Sequence, residues 1–278
     1  MSAGVGCADT IRSSYAKDGF CFPIPVLGPG ELKRYGSDLL RAWERGQALK
    51  LGNKGQLNFP HVLFPFAYEI VRHPGILDAV EAVIGPDILV WGGTFFFKPP
   101  HSGGFVSWHQ DLTYWGLAET DGLVSAWLAL EDVDRENGCM QFLPGTHQGG
   151  LRVHSDTWTA NNILTRGQSV AIDEDACDIV HVELRAGEMS LHHGHLLHAS
   201  GPNHSGRWRL GFNINYITPG NRQTVAPRDF AMLVRGKDRF GHFSHVDPPA
   251  GELDEAALGW HRRILDAQND ALYSEGAA

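Results

Sequence analysis

The sequence predicts a mainly β fold, a sandwich or barrel with helices packed on its outside. Two observations carry that prediction. From about residue 87, short apolar or alternating runs occupy 87–98, 105–111, 122–131, 139–143, 179–184, 188–192, 195–199 and 208–217. Turn-forming clusters such as Lys98-Pro99-Pro100, Glu136-Asn137-Gly138 and Gly201-Pro202-Asn203 separate them. Helical spacing, by contrast, is confined mostly to the first third of the chain and to its end.

Residues 9–17 and 29–48 read as helices. In the second, Pro29 suits a first-turn position, and Leu32, Tyr35, Leu39 and Trp43 recur at spacings of three and four. Between them, the β-prone stretch Gly19 to Ile24 fits an edge strand. Residues 75–84 form another short helix, stopped by Gly85-Pro86. Residues 253–273 return to helix, with Leu253, Ala256, Leu258 and Ile264 among the apolar positions. No repeat or linker interrupts the pattern. The expectation is a single domain over 1–278: a helical part at about 1–86, a β core at about 87–220, and a C-terminal extension and helix at about 221–278.

Composition narrows the function. A hydrophobic content of 42% supports a buried core, and 20% charged residues is too few for a disordered chain. The formal charge of −9 argues against nucleic acid or anionic membrane as partner. Cys7, Cys21, Cys139 and Cys177 lie far apart, which excludes a zinc ribbon or a dense disulfide framework. With no apolar leader or membrane-length stretch in sequence, a cytoplasmic protein acting on a small-molecule substrate is expected, its oligomeric state unreadable. Histidine is abundant, at 15 residues, and supplies both metal ligands and proton carriers.

Ser107-Trp108-His109-Gln110-Asp111 places an imidazole and a carboxylate two residues apart, on one face of an extended chain. Completed by a distant second histidine, such a pair makes the site that suits Fe(II) and leaves coordination positions open. Standing alone, the tripeptide reads more readily as a surface His–Asp pair. Downstream, His192, His193, His195 and His198 compete for the third position. After them, Leu210, Phe212, Ile214 and Tyr216 alternate onto one face of a strand, turning Arg209, Gly211 and Asn213 to the other. An arginine there is either solvated or suited to gripping a carboxylate through a bidentate pair.

The order of His109-Gln110-Asp111, Trp127, His198-x-Ser200-x-x-Asn203 and Arg209 resembles the phytanoyl-CoA dioxygenase family. Lys98-Pro99-Pro100, the stretch Asn137 to His147 and the stretch Val234 to Gly241 extend the resemblance over about residues 15–245. It implies a double-stranded β-helix, a cupin-like jelly roll, and an enzyme using Fe(II), 2-oxoglutarate and O2. It further implies His109, Asp111 and His198 as metal ligands, with His195 the nearest competitor for the third. Arg209 and Ser200 would hold the cosubstrate, Trp127 and Gln110 would border its pocket, and His192 and His193 would be members of the neighbouring turn. With a carboxylate at position 111, hydroxylation with release of succinate and CO2 is the implied reaction. Desaturation, epimerisation, cyclisation or a non-catalytic jelly-roll binding protein are the alternatives.

Substrate identity is not legible. The candidate walls are residues 49–66, 92–106, 150–172 and 219–245, of which 150–172 is long and polar enough for a mobile lid. Phe95-Phe96-Phe97 reads as buried strand with one ring reaching the pocket. Arg222, Arg228, Arg235, Lys237 and Arg239 form either a solvated rim or a contact for an anionic substrate.

Overall fold

The computed structural model describes residues 5–118, 121–164 and 167–272. The end of the expected last helix, at 273, and two positions of the 150–172 segment lie outside the described residues. The helices are α1 (Val5–Asp18), α2 (Pro29–Ala48), α3 (Pro60–Leu63), α4 (Pro65–Val71), α5 (Pro74–Ile84) and α6 (Glu255–Leu272). The strands before residue 110 are β1 (Phe20–Pro25), β2 (Gly52–Asn53), β3 (Gln56–Asn58), β4 (Ile88–Lys98) and β5 (Val106–His109). There follow β6 (Leu123–Ala129), β7 (Met140–Phe142), β8 (Ser155–Asp156), β9 (Gln168–Ser169) and β10 (Val180–Val182). The last are β11 (Glu188–His192), β12 (His198–Ser200), β13 (Arg209–Ile217), β14 (Phe230–Arg235) and β15 (Ser244–His245).

A large sheet runs β1-β11-β6-β13-β4-β14-β15, with β3 also pairing β4, and faces a smaller sheet ordered β10-β7-β12-β5. Pairing is antiparallel throughout except for β14 with β15, which gives the two-layered jelly roll. Leu210, Phe212, Ile214 and Tyr216 enter the core that the large sheet shares with the helices. The opposite face of β13 looks toward the small sheet, so period-two alternation delivers Arg209 and Asn213 to the interior cavity.

β1 is the edge strand expected between the first two helices, since it ends the order of the large sheet. β3, from the part read as helical, and β14, from the part read as C-terminal extension, join the same sheet and depart from expectation. Within 49–66, Pro60 and Pro65 each take a first-turn position and start short helices instead of a continuous loop. Segment 150–172 is tied to β5: Phe105 N–H donates to Asn161 O, Ile163 N–H to Phe105 O, and Val170 N–H to Trp108 O.

Candidate metal centre and its two cavities

β5 ends at His109. Gln110 stays extended, and Asp111 opens a short 3-10 turn over Asp111–Tyr114. The expected strand over 105–111 therefore stops two residues early, yet imidazole and carboxylate still converge. Across the β5–β12 ladder, His198 is the direct partner of His109. Both Nε2 atoms stand 3.5 Å from Asp111 Oδ1, and the ligand atoms of all three residues lie within 4.8 Å of one another.

Local hydrogen bonds aim the two rings. His109 Nδ1 bonds Ser107 O at 2.9 Å, and His198 Nδ1 bonds Leu196 O at 3.0 Å. A carbonyl can only accept, so each Nδ1 carries the hydrogen and each Nε2 presents a lone pair inward. Burial holds His198 down at about 3, hence neutral. Burial alone would raise Asp111, but the imidazoles of His198, His109 and His192 outweigh it and hold the carboxyl well below its ordinary range. Ser125 Oγ–H donates to Asp111 Oδ2 at 2.9 Å, which fixes the carboxylate plane. Two imidazoles and one ionised carboxylate on a common point form the donor set that fits Fe(II).

Behind this cluster lies an inner cavity of about 520 Å³, lined by Trp127, Ser200 and Arg209 among others. Arg209 is 2% exposed, its Nε is buried without a partner, and its guanidinium carbon lies 4.3 Å from the centre of a Trp127 ring. Burial lowers Arg209 to about 10, so it remains a cation. Gly211 makes room for this stack, because a Cβ there would run into the Trp127 indole. Lys98, the cross-strand partner of Arg209, is also buried; its Nζ donates to Ser200 Oγ at 2.8 Å and Gly201 O at 2.6 Å. Asn203 Nδ2 donates to the carbonyls of Lys98 and Pro99, pinning the end of β4. Burial pushes Lys98 well below the usual lysine range, so the charged group at the cavity's end is Arg209, and with the Ser200 hydroxyl that Lys98 holds it fits one carboxylate of a dicarboxylate.

Three placements depart from the sequence reading. Gln110 does not border the cavity: alternation turns it outward, where its Nε2 donates to Gly150 O and His195 O and its Oε1 accepts from Arg152 N–H. His192 is no turn residue; it ends β11, lines the inner cavity and brings Nε2 to 3.6 Å from Asp111 Oδ2. Lys98 had no assigned role, its signal being a lysine inside an otherwise apolar strand. His193 does belong to the turn, accepting from His195 N–H, and His195 is not part of the cluster.

An outer cavity of about 1090 Å³ opens on the other side of the cluster and shares His109, Asp111, Phe96, Leu164 and Asn213 with the inner one. Segments 49–66, 92–106 and 150–172 reach it through Asn58, Thr94 and Leu164, and α6 adds Leu265. Residues 219–245 contribute to neither wall; Arg235 instead pairs with Asp78 and Glu81. Phe96 is the ring of the triplet that faces both cavities, while Phe95 and Phe97 are core.

A jelly roll with a His–Asp–His cluster between two cavities defines a non-haem iron oxygenase of the 2-oxoglutarate-dependent class. The chain belongs to the phytanoyl-CoA dioxygenase (PhyH) family, whose family model matches residues 15–211. It is 29% identical over 218 residues to a probable phytanoyl-CoA dioxygenase of Caenorhabditis elegans, covering 73% of this chain and 68% of that protein. It is 34% identical over 180 residues to peroxisomal phytanoyl-CoA dioxygenase of Bos taurus, covering 60% and 53% respectively, so the match spans about half that relative's length. Among solved structures it is similar to the non-heme monooxygenase ThoJ, at 34% identity and TM-score 0.83, covering 94% of this chain and 97% of that one. CytC3 with Fe(II) and alpha-ketoglutarate shares the fold at 21% identity and TM-score 0.63, covering 87% and 92%. The enzyme's cofactor is Fe(II), and 2-oxoglutarate and O2 are its cosubstrates. No helix among the described residues is long and apolar enough to cross a membrane.

Proposed function

We propose that this enzyme hydroxylates an unactivated C–H bond of a small organic molecule, releasing succinate and CO2. The observation that carries the reading is the carboxylate of Asp111 between the two Nε2 atoms, which completes the donor set and leaves no ligand position on that side for another group. His109, Asp111 and His198 would hold the iron. When bound, iron with 2-oxoglutarate and O2 supplies the oxidising chemistry.

The chain's own residues position and exclude. Arg209, with Ser200 held in place by Lys98, would receive the distal carboxylate of 2-oxoglutarate, and Trp127 keeps the guanidinium in place. Phe96 and Leu164 stand where the cavities meet and shield the reacting carbon from water. The sheet pairings of β1, β3 and β14 support reading the chain as one catalytic domain. The charge of −9 supports a small molecule over nucleic acid.

The test is anaerobic reconstitution with Fe(II) and 2-oxoglutarate. A weak visible charge-transfer band that disappears in His198→Ala supports the proposal; no band and no cosubstrate affinity overturn it. The mass of the product separates hydroxylation, a gain of one oxygen, from desaturation, a loss of two hydrogens, and from epimerisation, no change.

A further inference from the structure

We infer that the substrate portion held in the outer cavity is uncharged and carries several amide or hydroxyl groups, and that it is neither an anion nor a fatty acyl chain. This rests on the oxygenase reading above and concerns the wall that faces the metal cluster from outside. That wall is built from neutral carboxamides: Gln56 and Asn58 on β3, Asn213 and Asn215 on β13, and Gln268 and Asn269 on α6. Among the described residues, Asp111 is the one lining group with a formal charge, and no lysine or arginine faces this cavity. The buried cation Arg209 lies on the inner side, in the inner wall, with Lys98 behind it against Ser200. An anion entering from outside would lose hydration along this wall, where no lysine or arginine among the described residues supplies a countercharge.

A saturated acyl chain fits no better, because it would strip water from the carboxamides and offer them nothing. Their orientation is already set. Thr94 Oγ1–H donates to Asn58 Oδ1, and Asn213 Nδ2–H donates to Asn215 Oδ1. Asn213 Oδ1 is thereby left buried without a partner, an acceptor awaiting a donor. On the floor, Gly92 keeps Asn215 Nδ2 open, since a Cβ at that position would stand 3.2 Å from it. Trp91 spends its N–H on Asp229 Oδ2 at 2.7 Å, so with Phe59 and Trp115 it offers the cavity flat apolar surface. The combination matches a neutral molecule with donors and acceptors at its edges and an apolar face.

The experiment is saturation-transfer NMR on the full chain with 2-oxoglutarate and Zn(II) in place of iron. The probes are an N-acetylated dipeptide amide, a neutral disaccharide, octanoate and octanoyl-coenzyme A. At least one neutral probe should bind about tenfold or more tightly than either anion. Asn213→Leu should abolish that binding, and Gln268→Arg, on the half-buried α6 face, should narrow the preference without touching the interior. Equal or tighter binding of either anion, or no binding of a neutral probe, overturns the inference. Affinity for 2-oxoglutarate is measured on the same samples. If it is absent while a neutral probe binds, the oxygenase reading fails alone; if it is present without the neutral preference, the inference fails alone.

Discussion

His109 and His198 face each other across the β5–β12 ladder with ring centroids 4.1 Å apart, and each gives its Nδ1 hydrogen to a backbone carbonyl two residues earlier in the chain. Ligand geometry is thus set by strand register and backbone, with no other side chain needed to choose the tautomer. Replacing either histidine by alanine should remove tight Fe(II) binding while leaving the fold intact. Metal content after desalting, alongside circular dichroism, checks both halves.

Gly211 is the hinge of the second prediction. A methyl at this position displaces the Trp127 ring from Arg209. Gly211→Ala should weaken 2-oxoglutarate binding by about tenfold or more, on the order of 1.4 kcal/mol, with iron content unchanged. Arg209→Leu should weaken it further, because it removes the buried guanidinium that lines the inner cavity. Calorimetric titration with 2-oxoglutarate measures each variant.

His192 places two nitrogens without hydrogen-bond partners beside Asp111 and the inner cavity. His192→Phe keeps a ring and removes both. The expected outcome is retained iron with weaker cosubstrate binding, by about tenfold if one charge-assisted hydrogen bond is lost. Unchanged affinity would make this imidazole a packing residue.

Acid should destabilise the metal-free protein well before carboxylates titrate. Burial holds His61 and His198 at about 3 and His193 at about 4. Unfolding frees these imidazoles to protonate near 6.5, so the unfolded chain binds more protons between roughly pH 3 and 6.5, and stability falls as pH drops through that window. Each fully buried ring contributes on the order of 1–2 kcal/mol of loss at pH 5. Urea denaturation of metal-free protein at pH 7.5 and pH 5 measures the difference, and a smaller difference is expected in His61→Phe.

Much of this site could be read from sequence, for identifiable reasons. Alternation along β13 sorted Arg209, Gly211 and Asn213 from the core residues, because a strand buried on one face and cavity-lining on the other keeps a strict period of two. The same alternation turns Gln110 away from the cluster, toward Gly150 O and His195 O, against the role that family resemblance implies for it. Asp111 reached the cluster by a 3-10 turn and not by strand alternation, a distinction that a tripeptide does not encode. Sequence gives Lys98 no role at the site and assigns His192 to the turn, because what defines them is across-sheet proximity, to Arg209 and Asp111 respectively. β14 was hidden by its basic neighbours, although Phe230-Ala231-Met232-Leu233-Val234 is an apolar run. The two proline-started helices α3 and α4 are too short for periodicity to register.

The central claim is that His109, Asp111 and His198 bind one iron in front of Arg209. Anaerobic titration of 2-oxoglutarate into the Fe(II)-loaded protein tests it most directly. The account predicts a visible band that saturates with one cosubstrate per iron, persists in Gln110→Ala, and vanishes in Asp111→Ala and Arg209→Leu. A band of unchanged intensity in either of those last two variants would contradict it.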